Sequence, residues 1–261
     1  MIANRHIGRT VLVTGAASGI GRGIATRFGE EGANVVVADV RREPKQGEYY
    51  DTDIEQPTDK KITQETDGMG LYIETDVSDP DSVSNTVDEV VKEFGQLDVL
   101  INNAGIYVPG SSQEMSTEDW QQVIDVNLTG HFNCAKYAIP HLVESEGHIV
   151  NMGSVMASEG GAGPSYTSAK AAIVNLTRDL AVELGEASVN VNAICPGFVE
   201  TPIQDYQTEE SLQAQLDHTL LPHGGVPRDV GNAAVFLASK EASFIHGTTL
   251  YVDGGWAAHR V

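Results

Sequence analysis

The chain has 261 residues, 41% of them hydrophobic, with 27 glycines and a net charge of −21 from 37 acidic and 16 basic side chains. That composition suits one globular α/β domain spanning 1–261 and excludes a disordered or collagen-like chain. No apolar run nears the roughly 18 residues that span a bilayer, and so acidic a surface repels nucleic acid and anionic membranes.

The first six residues, Met1 to His6, lack the apolar stretch and cleavage site of a secretory leader, so a cytoplasmic protein is expected. Thr10–Thr14 reads as a first strand and Gly19–Glu31 as a helix ended by Gly32. The valine run of Asn34–Asp39 is a buried strand. Arg41–Met69 is polar and broken by Pro44, Gly47, Pro57 and Gly68, which predicts a loop with one short helix near Thr58–Thr66. Leu71–Thr75 is a strand, Asp79–Phe94 a helix with an acidic first turn, and Leu97–Asn102 a strand. Thr117–His141 is mostly helical, with Pro140 near its end. Strands follow at His148–Gly153 and Val189–Ile194, around a long helix at Ser165–Glu186. Glu200–Gly225 reads as irregular, a lid over substrate; Pro227–Ser239 is a helix and Thr248–Asp253 a last strand. Strands alternating with helices predict a doubly wound, Rossmann-type parallel sheet of about seven strands with helices on both faces.

Thr14-Gly15-Ala16-Ala17-Ser18-Gly19-Ile20-Gly21 joins the first strand to the first helix. Gly15 permits a tight turn, and Gly19 and Gly21 let backbone approach a pyrophosphate. The helix start offers free N–H groups and the positive end of its dipole. The spacing is Gly-x-x-x-Gly-x-Gly, not the Gly-x-Gly-x-x-Gly fingerprint, so its place in the fold carries the reading. Asp39 ends the second strand, 24 residues after Gly15. An acid there accepts from adenosine ribose hydroxyls and repels a 2′-phosphate, which favours NAD; Arg41 and Arg42 close behind leave NADP open.

Taken with Asp76-Val77, Asn102-Asn103-Ala104-Gly105, Asn127, Ser154, Tyr166-Thr167-Ser168-Ala169-Lys170, Pro196-Gly197 and Val252-Asp253-Gly254-Gly255, the chain resembles the short-chain dehydrogenases/reductases from about Thr10 to Gly255. The resemblance implies a catalytic tetrad of Asn127, Ser154, Tyr166 and Lys170, with Asn127 holding a water that links Lys170 to solvent. It implies cofactor contacts from Gly15, Ser18, Gly19, Ile20, Gly21, Asp39, Asp76, Val77, Asn103, Ala104, Gly105, Tyr166, Lys170, Pro196, Gly197, Val199 and Thr201. It also implies a homotetramer formed through the helices at Thr117–His141 and Ser165–Glu186. One departure stands out: eleven residues separate Ser154 from Tyr166 where the family commonly has twelve. The loop Val155–Ser165, with Gly160, Gly161 and Gly163, absorbs a deletion, and the alternative Ser158 lies too near Tyr166.

The chemistry suits these residue types. Removing a hydroxyl proton needs a base within hydrogen-bond reach. A tyrosine's ordinary pKa of about 10 is too high, but Lys170 is four residues on and shares a helix face, so its charge is expected to lower it. Ser154 donates to the substrate oxygen. The expected substrate is a small alcohol or carbonyl compound, led by a sugar or polyol because Asp39 suits NAD and catabolic oxidation. Its walls are expected from Tyr107–Gly110, Val155–Ser165 and the lid, which carries Gln204, Tyr206, Gln207, His218 and His223. A 3-oxoacyl-[acyl-carrier-protein] reductase is the alternative, and a non-catalytic NAD-binding regulatory protein is the reading from another class. Cys134 and Cys195, 61 positions apart, form no metal-ligand pattern and read as free thiols, so no metal is expected. Acids scattered along the chain, with only seven lysines, read as halophilic adaptation, with a cation-binding surface as the other possibility.

Overall fold

The structure, a computed structural model, describes residues 4–50 and 54–259; residues 1–3 of the N-terminal stretch, 51–53 of the segment 41–69 and 260–261 lie outside it. Seven strands form one sheet: β1 (Thr10–Thr14), β2 (Asn34–Asp39), β3 (Met69–Glu74), β4 (Val99–Asn102), β5 (His148–Met152), β6 (Asn190–Pro196) and β7 (Thr249–Val252). All pairings are parallel, in the order β3-β2-β1-β4-β5-β6-β7. The central strands β1, β4 and β5 are buried along their whole length because helices cover both faces. On one face α1 (Gly19–Glu30), α2 (Thr58–Glu65) and α8 (Pro227–Leu237) bury Phe28, Ile62 and Val235 against β1 and β2. On the other, α3 (Pro80–Phe94), α5 (Gly130–Ser145) and α6 (Pro164–Leu184) bury Val87, Leu142 and Leu180.

Local signals mark the ends of α3. The Asp79 carboxylate accepts from the Asp81 N–H at 3.0 Å, Pro80 opens the helix, and Gly95 closes it in the left-handed region at φ 76°. Strand ends fall within a residue or two of those expected. The segment 117–141 is helical as expected: α4 (Thr117–Ile124) passes through a π turn at Asp125–Thr129 into α5. Pro140 sits inside α5, which runs on to Ser145; burial of Ala138 and Leu142 holds the helix despite the lost donor. One expectation needs correction: the segment 200–225, expected to be irregular, is not. It holds a 3-10 turn at Pro202–Tyr206 and α7 (Glu209–Leu216), whose start is capped by Thr208 accepting from the Ser211 N–H at 3.2 Å. Thr208 followed by Glu209 and Glu210 is a helix-start signal.

No helix among the described residues is long and apolar enough to cross a membrane. No group of three or more His, Cys, Asp or Glu side chains among them is placed to hold a metal ion.

Candidate active site

The strand order reverses between β1 and β4, and a cleft of about 960 Å³ lies there, at the carboxyl ends of the strands. Gly15, Ser18, Gly19, Ile20, Gly21, Asp39, Asp76, Val77, Asn103, Ala104 and Gly105 line it. So do Ser154, Tyr166, Lys170, Pro196, Gly197, Val199 and Thr201. Asn127 alone among the expected residues does not; it is wholly buried.

At one end the loop after β1 is tightly built. A Cβ on Gly21 would stand 2.1 Å from the Gly15 carbonyl oxygen, and one on Gly15 would stand 2.8 Å from the Ala104 Cα. Only bare backbone lets the loop, the start of α1 and the end of β4 approach so closely. Ser18 is the N-cap of α1 but does not cap it; its hydroxyl accepts from the Lys45 N–H at 2.7 Å. The first-turn N–H groups, which have no partner inside a helix, are left to the cleft. Asp39 accepts from the Ala17 N–H at 3.0 Å and the Arg41 N–H at 3.3 Å, which anchors the loop to the end of β2. Burial nonetheless raises its pKa above the usual aspartate value, because desolvation outweighs those donors.

At the other end Ser154, Tyr166 and Lys170 meet. Ser154 and Tyr166 line the same end of the cleft, and the Lys170 Nζ lies 5.5 Å from the Tyr166 ring centroid. Lys170 is buried and donates to the Met152 carbonyl at 2.8 Å, which ties α6 to the end of β5. Ser158 faces elsewhere, donating to the Val155 carbonyl and accepting from the Tyr251 hydroxyl, so the shortened loop leaves Ser154 as the serine beside the phenol. The expected drop in the tyrosine's pKa is not found. Burial pushes Tyr166 up to about 12, because desolvation outweighs the lowering influence of the nearby Ser154. The same burial pushes Lys170 down to about 8.

Asn127 sits in the π turn, a distortion often found at functional sites. Its Oδ1 accepts from the Ile106 N–H at 2.8 Å and its Nδ2 donates to the Ile106 carbonyl at 2.9 Å. The side chain is therefore spent on clamping the loop after β4 and is not turned into the cleft.

Some lining residues were not legible. Lys45 bonds across the cleft mouth, from Ser18 to the Pro202 carbonyl and the Asp205 carboxylate, both at 3.2 Å from its Nζ. Trp256 lines a side chamber beside Ser154 and Tyr166. The turn at Asp253 carries it there, with the carboxylate accepting from the Gly255 and Ala257 N–H groups, each at 2.9 Å. The run Asp-Gly-Gly signalled only a turn. Tyr107 and Tyr206 stack at 4.2 Å between ring centroids, and Tyr107 meets Tyr166 edge-on at 5.5 Å. His218 stacks on Trp256, outside the chamber lining, and His223 lines neither cavity.

The family model described as enoyl-(acyl carrier protein) reductase matches residues 15–257. The chain is 37% identical to meso-2,3-butanediol dehydrogenase of Serratia marcescens, over 97% of this chain and 96% of that one. It belongs to the short-chain dehydrogenases/reductases. A second relative is the 3-oxoacyl-[acyl-carrier-protein] reductase of Thermotoga maritima, 34% identical over 95% of this chain and 97% of that one. The ligand-free aldohexose dehydrogenase of Thermoplasma acidophilum superposes with a TM-score of 0.82 at 34% identity, covering 99% of this chain and 97% of that one. As a short-chain dehydrogenase/reductase, the chain is an oxidoreductase that moves a hydride between NAD(P) and a carbon bearing a hydroxyl or carbonyl oxygen. Its own cleft fits that dinucleotide: bare glycine backbone and an open helix start at one end, a buried phenol, hydroxyl and ammonium at the other.

Proposed function

We propose that this short-chain dehydrogenase/reductase oxidises a sugar or polyol with NAD, using Tyr166 as its acid/base. The observation that carries the reading is the meeting of Ser154, Tyr166 and Lys170 at one end of a cleft whose other end holds Asp39. Tyr166 takes the hydroxyl proton, and Ser154 donates to the substrate oxygen and steadies it. Lys170, fixed by Met152, presents its charge to the phenol side of α6. Asn127 acts as a positioning residue by holding Ile106 and the loop that carries Tyr107. Bound NAD supplies the hydride acceptor, and its cationic ring favours the tyrosinate. Backbone at Gly19, Ile20 and Gly21 would hold the pyrophosphate, with Thr201 beside Gly19; Asp76 and Val77 would flank the adenine, and Pro196, Gly197 and Val199 would frame the nicotinamide. A spectrophotometric screen of sugars, polyols and ketoesters with NAD and NADP tests the assignment; ketoester turnover without polyol turnover would reverse it.

Asp39 sets the cofactor choice in this reading. Asp39→Ala is expected to shift the NAD:NADP ratio of kcat/KM by about tenfold toward NADP, the scale of one charge-assisted hydrogen bond. An unchanged ratio would remove Asp39 from that role.

The acyl-carrier-protein reductase reading has the Thermotoga relative behind it. Against it, a carrier protein is acidic and would dock on a chain of net charge −21. A non-catalytic NAD-binding protein is disfavoured because phenol and ammonium are both present.

Exposed Phe132 and Val143 on α5 and Val182 on α6, the last 84% exposed, are an apolar face suited to self-association. We read the chain as a homotetramer of a salt-adapted protein. Light scattering should return four times the 27.9 kDa chain mass, and more completely in molar salt, which screens the acidic surfaces. A monomer at both salt levels would refute it.

A further inference from the structure

Two arginines follow Asp39 closely, and the fold separates them. Arg41 lines the cleft beside Asp39, while Arg42 does not. The Arg42 guanidinium instead lies over the ring of Tyr72, 5.8 Å from its centroid, and meets the carboxylate of Asp59 in the first turn of α2. Its Nε donates to one carboxylate oxygen at 3.2 Å and its Nη2 to the other at 2.6 Å. A two-point pair of this kind fixes the direction of the guanidinium as well as its charge. The two ends are unlike: the Asp59 side chain is 7% exposed and that of Arg42 44%. A carboxylate so far out of water depends on its counter-ion, whereas the half-exposed arginine is free to serve another anion once the acid is gone.

Asp59 is held at this corner by contacts that lead back to the glycine loop. A Cβ on Gly70 of β3 would clash with the Asp59 carbonyl oxygen, so bare backbone lets the start of α2 lie against the strand. Beside it, the Thr58 hydroxyl donates to the Ala17 carbonyl at 3.2 Å and accepts from the Arg22 Nη1 at 2.9 Å. The Ala17 N–H in turn donates to the Asp39 carboxylate, and the Tyr72 hydroxyl donates to the Asp39 carbonyl at 3.1 Å. Asp39, Ala17, Thr58, Asp59, Arg42 and Tyr72 therefore close a circuit at one corner of the cleft.

We infer that Asp59 is a second determinant of cofactor choice: by holding Arg42 it withholds the cation that would otherwise neutralise a 2′-phosphate beside Asp39. The inference rests on the NAD reading and deepens it with a residue from a different element. Asp39 repels the added phosphate by its own charge, and Asp59 keeps that repulsion from being offset. Arg42 is near enough to offset it, since the Tyr72 side chain alone spans the space between its guanidinium and the Asp39 carbonyl. Asp59 touches no cofactor in this account; it is a positioning residue that acts through Arg42. Arg41 remains in the cleft whatever Arg42 does, so its contribution cancels when Asp59 variants are compared with the unaltered chain.

Calorimetric titration with adenosine 2′,5′-bisphosphate and with AMP, beside steady-state kinetics with NADP and NAD, tests this. Asp59→Asn keeps the shape of the side chain and removes its charge. It should tighten bisphosphate binding and raise kcat/KM for NADP by about tenfold each, the scale of one charge-assisted pair, and leave AMP and NAD unchanged. A merely loosened α2 would weaken both nucleotides together; only a released cation separates them by the 2′-phosphate. Arg42→Ala should change none of the four values in the unaltered chain, where the arginine is engaged elsewhere, and should abolish the gain in the Asp59→Asn chain. No gain in Asp59→Asn overturns the proposal. So does a gain that survives Arg42→Ala, which would assign it to the lost charge of Asp59 itself. If Asp59→Asn does not fold, Arg42→Ala decides alone: weakened bisphosphate binding would place the guanidinium on the phosphate already and overturn the proposal, and unchanged binding supports it. An unaltered enzyme that uses NADP as well as NAD overturns the NAD reading too, whereas an NAD-preferring enzyme whose ratio Asp59→Asn does not move overturns the proposal alone.

Discussion

Tyr166→Phe is expected to cut kcat by about a thousandfold or more while NAD still binds, within the roughly 10²–10⁴ that a positioned acid/base supplies. The substitution removes one oxygen and keeps the ring that meets Tyr107 edge-on, so the walls of the site persist. Calorimetric titration with NAD checks the binding and steady-state kinetics the turnover. The pH dependence carries a second signature. Burial holds the phenol near 12, so oxidation, which needs the phenolate, should rise with pH across the alkaline range, while reduction, which needs the phenol, should not. Lys170, pushed down to about 8 by burial, sheds its charge before the phenol ionises. A Tyr166→Phe enzyme within tenfold of the original kcat would assign the proton to another group.

Acid should unfold this chain through its buried histidines. His6 is held near 4, and His131 and His148 near 3, all lowered chiefly by burial. His6 meets the Val235 carbonyl at 3.0 Å, while the His131 Nε2 and the His148 Nδ1 are buried with no partner. Each ring is therefore neutral in the fold and takes a proton once exposed. A folded pKa below the unfolded value of about 6.5 means that the unfolded chain binds more protons between the two. The stabilisation is complete above about 6.5 and is lost as pH falls toward 4 and then 3. The slope is about 1.4 kcal/mol per pH unit for each ring, so three rings together remove roughly 6 kcal/mol between pH 7 and 5. That is comparable with a typical total stability of about 5–15 kcal/mol. Mutual repulsion among the 37 acids eases over the same interval and acts in the opposite direction. The decisive quantity is thus the difference between the unaltered chain and His148→Gln in denaturant midpoint at pH 7 and pH 5. The variant should lose less on acidification, by about 2 kcal/mol for one ring; equal losses would show that His148 does not titrate on unfolding.

The valine run of β2, the Asp79-Pro80 start of α3 and the glycines after β1 are short-range signals. Each acts through its own backbone, and each element lies where the sequence places it. The order of motifs from Gly15 to Gly255 likewise announced the family, and all the expected site residues except Asn127 line one cleft. Thr208, which accepts from the Ser211 N–H at the start of α7, is a local signal of the same kind.

Other properties belong to groups distant in sequence. Whether Lys170 lowers the Tyr166 pKa depends on how much water reaches the pair, and helix spacing carries no information on that. Asn127 could be placed on its helix, but not its grip on Ile106, which arises where the π turn meets the loop after β4. Tyr107, Tyr206 and Trp256, separated by up to 149 positions, converge only when the segment 200–225 and the last turn come together in the fold. Backbone preference and hydrophobic period are written residue by residue, so the sequence by itself determined the strands, the glycine turn after β1 and the family. Desolvation and side-chain convergence are properties of the packed whole, so the tertiary structure alone decided the proton affinities and the shape of the cleft.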